Sequence, residues 1–389
     1  MMMIAVLRSL LLVLALPVLL QAAPALAGPG KLLEATPMEA APAGARAWRI
    51  RYETTDVDGD PTPSTGVLVA PDGASPVQGR NVVAWAHGTV GIEPACTPIR
   101  SLDQIPDLAD MLARGWVVVA TDYPGLGTRG PHAYLAGDAA AAAVLDSVRA
   151  AVNFAPAGAG RRFVAWGHSQ GGHAALFTAQ RARSYAPELQ LLGVAAVSPP
   201  TDLAQNMQHA DTTVRGLLTA FTARSWAKVY GADLATIANR TTQGVIDRAT
   251  AGCEGDPFSA AGLVRLLRLR ARLGNLDLGG RAPWDALMAR NSITALGKGM
   301  APLLLVQSDA DGLVATPVTR RFFNRSCESG ATVRYLGLPD TGHANTAIAS
   351  ADAVLAWLAE RFAGQAAVDD CAAPAVNGVT VAAQPVPQV

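Results

Sequence analysis

The sequence predicts an α/β fold: a mostly parallel sheet covered on both faces by helices, with a helical insertion. Three features carry this. Short apolar runs bounded by turn residues recur along the chain, helix-forming segments separate most of them, and one long interval breaks the alternation. Apolar runs of strand length with no polar alternation belong to strands buried on both faces, and strands that alternate with helices are joined in parallel by crossovers.

The first element is not part of the fold. Arg8 precedes "SLLLVLALPVLL", and small residues at Ala25 and Ala27 follow. This is the layout of an export signal, with cleavage predicted after Ala27. No Cys follows the run, so a lipid anchor is not expected, and no later segment has the apolar length to span a bilayer. "WRIRYETTDVDGDPTPSTGVLVAP" alternates and turns like a β-hairpin. Six predicted strands follow: "NVVAWAHG", "WVVVATDYPG", "FVAWGHS", "LLGVAAVSPP", "PLLLVQSD" and "ATVRYLGLP". Between and after them lie the predicted helices "SLDQIPDLADMLARG", "YLAGDAAAAAVLDSVRAAVNF", "GGHAALFTAQRARSY", "TPVTRRFFNRSCES" and "NTAIASADAVLAWLAERFAG".

From about Thr201 to Met300 no strand stands out. A plain strand-to-helix connection needs only ~2–6 residues beyond its helix, so this interval reads as an inserted helical cap over the functional edge of the sheet. The expected organisation is a signal over residues 1–27, a core over 28–200 and 301–371, a cap over 201–300, and an extended tail over 372–389. Within the cap, "LVRLLRLRARL" places Arg265, Arg268 and Arg272 on one helix face and Leu263, Leu266, Leu267 and Leu273 on the other, with Arg270 intruding. Such a helix packs on its own core, as surface helices do, or serves as a lid that makes transient contact with a lipid surface.

The 31 basic and 31 acidic side chains balance. That gives no electrostatic reason to expect nucleic acid or an anionic membrane as partner, and nothing implies a stable protein partner. Cys96, Cys253, Cys327 and Cys371 are an even set without metal-ligand spacing. In an exported chain they read as two disulfides, and of the three possible pairings Cys96–Cys253 with Cys327–Cys371 is preferred. That pairing staples the insertion to the core and the last helix to the element before it. No metal site is expected.

Catalytic chemistry is concentrated in "FVAWGHSQGGHAAL". Gly167-His168-Ser169-Gln170-Gly171 falls where a strand becomes a helix. A G-x-S-x-G turn there lifts the serine above the sheet edge and aims the helix N-terminus at developing negative charge. A serine needs a base, and the base an orienting acid. In the order nucleophile, acid, base, only His173, His209 and His343 follow Ser169. His173 lies along the elbow helix and is read as a packing residue. His209 sits early in the insertion and is not excluded by spacing. His343, in "LPDTGHANTA" after the last predicted strand, is the expected base. Asp309 and Asp311 both follow the preceding strand; Asp311 is favoured as the acid because "DGLV" turns the loop back, and Asp309 is assigned to loop backbone. Asp340 belongs to the local turn. An oxyanion hole needs two N–H groups: one from Gln170, the other from the loop after the third predicted strand, at Thr89 or, as second choice, Gly88. His87 is read as a brace for that loop.

With these residues in hand, the chain resembles the α/β-hydrolases and, within them, the secretory lipase family that includes fungal lipase A and exported bacterial esterases. The resemblance rests on "AWAHGTVG", "ATDYPGLGTRGPHAYLAGDAAAAAVLDSVRAA", "WGHSQGGHAAL", "SDADGLV" and "TGHANTA", and "TDYPGLG" is its distinctive block. It implies an α/β-hydrolase fold, Ser169 as nucleophile, Asp311 as acid, His343 as base and a helical lid. It also implies small-molecule or lipid ester substrates, no cofactor, and Asp122 and Tyr123 near the floor of the site. An exported serine peptidase, of prolyl or tripeptidyl aminopeptidase type, is the nearest rival. It calls for a Tyr where Gln170 stands and for an acidic cluster that is not evident. An inactive binding protein is the rival from another class, and an acyltransferase differs only in what deacylates the enzyme.

Overall fold

The computed structural model describes residues 28–97, 102–253 and 260–372. The predicted export signal, and the tail beyond Ala372, lie outside the described residues. The nine described strands are β1 (Leu32–Met38), β2 (Ala45–Thr55), β3 (Pro61–Pro71), β4 (Arg80–Ala86), β5 (Val117–Thr121), β6 (Ala159–His168), β7 (Gln190–Val197), β8 (Leu303–Ser308) and β9 (Val333–Leu338). They form one sheet in the order β1-β2-β3-β5-β4-β6-β7-β8-β9. β1, β2, β3 and β5 pair antiparallel, and every pair from β5 to β9 is parallel. The hairpin β2–β3 is the predicted one, its turn held by Asp56, whose carboxylate accepts from the N–H groups of Asp58 and Asp60. β1 was not foreseen. As an edge strand with Pro37 and no alternation of polarity, it carries no period-2 signal. The third predicted strand is therefore β4.

Helices α1 (Leu108–Ala113), α2 (Gly137–Val152), α3 (Gln170–Tyr185), α4 (Leu203–His209), α5 (Thr212–Val229), α6 (Arg240–Thr250), α7 (Ala260–Leu273), α8 (Trp284–Arg290), α9 (Thr316–Glu328), α10 (Thr346–Ala349) and α11 (Ala351–Phe362) complete the chain. The strands are buried on both faces of the sheet. Along β4, Val83 and Trp85 face α1 and α11, whereas Val82 and Ala84 face α2 and α3. Continuous apolar runs are the sequence form of that double burial. The run of alanines in α2 has a packing reason: residues 139–143 are all buried, and small side chains let the helix lie close on the sheet.

Between β7 and β8 the described residues hold α4 to α8 and no strand. Leu203, Met207, Phe221, Trp226, Trp284 and Met288 of this insertion form one cluster with Ile92, Tyr134 and Leu135. The insertion thus packs on the loops that follow β4 and β5. One sequence expectation fails inside it. In α7, Leu269 and Leu273 are buried, whereas Leu263 and Leu267 are each 53% exposed. Gly216 of α5 sets this phase: a Cβ there would stand 2.8 Å from the Leu269 carbonyl carbon. The close approach turns Leu269 and Leu273 inward onto Ala220, Ile246 and Ala249.

Both disulfides form as paired above, Cys96–Cys253 and Cys327–Cys371. The second holds a short 3₁₀ turn, Asp370–Ala372, against β9. There the Asp369 carboxylate accepts from the Val333 N–H at 3.2 Å and the Asp370 carboxylate from the Tyr335 N–H at 2.8 Å. The outer edge of the sheet is therefore partnered by side chains.

Candidate active site

Parallel pairing brings the C-terminal ends of β4, β6, β7, β8 and β9 to one edge. The sheet order changes direction at β4, between β5 and β6, and crevices at such points hold ligands in open α/β sheets. Ser169 stands there, between β6 and α3, at φ 56° and ψ −119°. Positive φ costs a non-glycine residue of order 1–3 kcal/mol. The surroundings impose it: Ser169 donates its N–H to the Val197 carbonyl at 2.8 Å and accepts from the His173 N–H at 3.0 Å. The flanking glycines are required by contact, since a Cβ at Gly167 would overlap the Gly171 carbonyl and one at Gly171 the Ala86 carbonyl.

His343, at the start of a 3₁₀ turn after β9, places Nε2 2.8 Å from Ser169 Oγ and Nδ1 2.8 Å from Asp311 Oδ2. An ionised carboxylate only accepts. Nδ1 therefore carries the imidazole proton, and Nε2 is free to accept from the serine hydroxyl. The Asp311 side chain is fully buried. Burial works to raise its carboxyl, but the His343 contact and the N–H groups of Val314 and Leu313 outweigh this and hold it below the ordinary value. Gln307, on β8, also donates to Asp311 Oδ2 at 3.2 Å and is itself held by Thr319.

The alternatives that the sequence left open lie elsewhere. His209 is exposed and hydrogen-bonded within α4 to the Gln205 carbonyl. His173 is buried against Phe177 and donates to the Asn291 carbonyl. Asp309 is paired with Arg320 at 3.4 Å, not with loop backbone as expected. Asp340 occupies an exposed turn at φ 51°. Tyr123 lies under the β4 loop and donates to the His87 carbonyl at 3.2 Å, whereas Asp122 accepts from Thr65 on β3, on the antiparallel side.

Gln170, one expected oxyanion-hole residue, opens α3. A Cβ at Gly88 would stand 3.5 Å from Ser169 Cβ, so the β4 loop runs close past Ser169. His87 donates from Nδ1 to the Gly88 carbonyl at 2.6 Å, and Thr89 Oγ1 lies 3.0 Å from the Tyr134 hydroxyl. Three further residues hydrogen-bond to members of this group. His168 was read only as part of the elbow, yet its Nε2 donates to the His343 carbonyl at 2.9 Å. His132 and Tyr134 were not singled out. The one available signal was the cluster of aromatic and imidazole rings in "GPHAYLA". Among the described residues no group of three or more His, Cys, Asp or Glu side chains has metal-binding geometry.

Comparison with known proteins bears on the family and the fold. A family model for secretory lipases matches residues 101–370. A probable inactive lipase of Mycobacterium tuberculosis is 25% identical over 373 residues, which cover 88% of this chain and 80% of that one. A secreted triacylglycerol lipase of Malassezia globosa is 25% identical over 384 residues, 90% of this chain and 79% of its own. Among solved structures, lipase A of Candida antarctica in its closed state superimposes with a TM-score of 0.73 at 19% identity, over 91% of this chain and 87% of that one. The rice cell wall degrading esterase LipA of Xanthomonas oryzae gives 0.72 at 21% identity, over 88% and 100%. The fold is that of the α/β-hydrolases, and the chain belongs to the secretory lipase family, within the carboxylic ester hydrolases.

Proposed function

We propose that the protein is an exported serine esterase or lipase that works through Ser169, His343 and Asp311. The observation that carries this reading is the unbroken hydrogen-bonded run from Ser169 Oγ through both nitrogens of His343 to Asp311, 2.8 Å at each step. As the serine oxygen bonds to the ester carbonyl carbon, its proton passes to Nε2, and the Asp311 carboxylate steadies the imidazolium. The carbonyl electrons move onto oxygen, facing the N–H groups of Gln170 and of Thr89 or Gly88 at the positive end of α3. Collapse of this intermediate expels the alcohol, which leaves with the proton from His343, and water repeats the sequence on the acyl-enzyme. Every step uses the chain's own groups and water. The complete relay supports activity in this chain, in contrast to the inactive state named for the mycobacterial relative.

Apolar acyl groups suit two exposed side chains near the relay in sequence: Leu313, in the loop that carries Asp311, and Ile348, in α10 just after His343. Residues 201–300 act as the cap. Its helix α7 offers Leu263, Val264 and Leu267 outward beside Arg268, a face suited to transient contact with a lipid surface. Removal of residues 1–27 on export and two disulfides suit a protein that works outside the cytoplasm.

The test is hydrolysis of p-nitrophenyl esters from acetate to palmitate by the protein beginning at Gly28, alongside Ser169→Ala. Hydrolysis that disappears with the serine is expected. A folded protein that leaves every ester intact and cleaves peptide amides belongs with the peptidases instead.

A further inference from the structure

The oxyanion hole works only if its two N–H groups stay fixed to within a fraction of an ångström while charge develops. Gln170 has helical backbone behind it, but Thr89 lies in a stretch after β4 with no regular secondary structure. Something outside the β4 loop must hold Thr89, and something must keep the first turn of α3 against the strained Ser169.

The loop between β5 and α2 meets both needs. His132 Nδ1 donates to the Pro124 carbonyl at 3.1 Å, which leaves Nε2 as an acceptor for the Gln170 side-chain amide at 2.9 Å. Among the described residues that is the one hydrogen bond made by the Gln170 side chain, although the residue is buried. Two residues on, the Tyr134 hydroxyl lies 3.0 Å from Thr89 Oγ1. The two expected donors are thus each tied by one side chain to the same three-residue segment.

That segment is in turn strapped to the insertion. Ser225 of α5 donates to the His132 carbonyl at 2.6 Å and accepts from the Tyr134 N–H at 2.9 Å. The neighbouring Trp226 indole N–H donates to the Tyr134 carbonyl at 2.9 Å. His132, Tyr134, Ser225 and Trp226 are all buried.

We infer that His132 and Tyr134 are positioning residues of the oxyanion hole, and that insertion helix α5 sets the hole by docking on them. The inference rests on the serine-hydrolase reading above. It assigns α5 a fixed role: this part of the insertion buttresses the transition-state site and does not swing away from it. Burial supports the assignment of His132, since it drives the imidazole down to about 4 and keeps it a neutral acceptor at working pH.

The experiment compares wild type with His132→Leu, His132→Gln, Tyr134→Phe and Ser225→Ala. Two quantities are read on folded protein: kcat and KM for a soluble short-chain ester, and Ki for a trifluoromethyl ketone. That ketone forms a hemiketal with Ser169: the serine oxygen bonds to carbon, its proton passes to His343, and the new oxyanion enters the hole. Loss of one whole oxyanion donor costs roughly 10²–10³ in kcat, so misplacing one is expected to cost about tenfold. His132→Leu and Tyr134→Phe should each lower kcat by about that factor with KM within about twofold, and Ki for the ketone should rise in parallel. Ser225→Ala should move both readouts the same way by less. His132→Gln, which restores an acceptor for Gln170, should recover most of the loss. Variants that melt earlier but keep wild-type kcat and Ki would reduce these residues to fold stability and overturn the inference alone. A wild-type protein that neither hydrolyses the ester nor binds the ketone would overturn the underlying reading as well.

Discussion

His168 and His343 are joined through backbone: His168 Nε2 donates to the His343 carbonyl at 2.9 Å, and the two rings lie 4.9 Å apart. The residue before Ser169 thereby ties down the loop that carries His343. Burial, and secondly the neighbouring His343, push His168 down to about 4, so it stays neutral. In His168→Phe the ring contact survives and the donor is lost. Misplacement by about 1 Å costs on the order of 10² in rate. A partial release of the His343 loop should therefore lower kcat about tenfold, measured on a soluble ester with KM for comparison.

Asp311→Asn should be far more damaging. An amide presents its NH2 to Nδ1 or fails to fix the tautomer, and comparable changes cost roughly 10⁴ in kcat. Steady-state kinetics beside Asp309→Asn make the comparison direct. Asp309 is exposed and paired with Arg320, so its variant should hold activity within about twofold.

Acid should unfold the protein through its histidines. Burial lowers His87, His132, His168 and His173 each to about 4 from 6.5. Between those pH values the unfolded chain binds protons that the folded one does not, so stability rises with pH across that window. The lowered Asp311 adds to this trend at lower pH, and Asp107 and Asp146, raised by burial, oppose it with fewer groups. Thermal melts from pH 7 to pH 4 should show a steady fall in Tm, with up to about four protons taken up on unfolding near pH 5. A Tm flat across that range would contradict the buried neutral state of these rings.

The outward face of α7 is testable without disturbing the core. Leu263→Ser with Leu267→Ser removes two half-exposed leucines that lie outside the buried cluster of Leu269 and Leu273. Each side chain contributes about 1.5–3 kcal/mol when fully buried, so partial immersion of two corresponds to about tenfold in binding. Activity on emulsified triacylglycerol should drop by about that factor while hydrolysis of a soluble short-chain ester stays unchanged. Equal activity on both would remove the lipid-contact role.

The parallel strands and the serine–histidine–aspartate relay were legible because each has a local signature: an unbroken apolar run, a G-x-S-x-G turn, a His after the last strand. β1 was not, since an edge strand with a proline has neither alternation nor burial to betray it. The phase of α7 was legible only in part: of its expected leucine face Leu273 is buried but Leu263 and Leu267 are exposed, and Leu269 turns inward instead because Gly216 on another helix sets the rotation. The ties from His132 to Gln170 and from Ser225 to His132 span 38 and 93 positions. No spacing in the sequence encodes such pairings; they exist only once the β5–α2 loop has met both α3 and α5.

The two aspartates that occupy the N–H groups of β9 are held there by the Cys327–Cys371 bridge. In a reducing compartment that bridge does not form, and no covalent tie then keeps the two aspartates over the rim of the sheet, where edge N–H groups can pair with a strand from another chain. Oxidation beyond the cytoplasm closes it. The Cys327–Cys371 pair thus couples the covering of the sheet rim to an oxidising compartment.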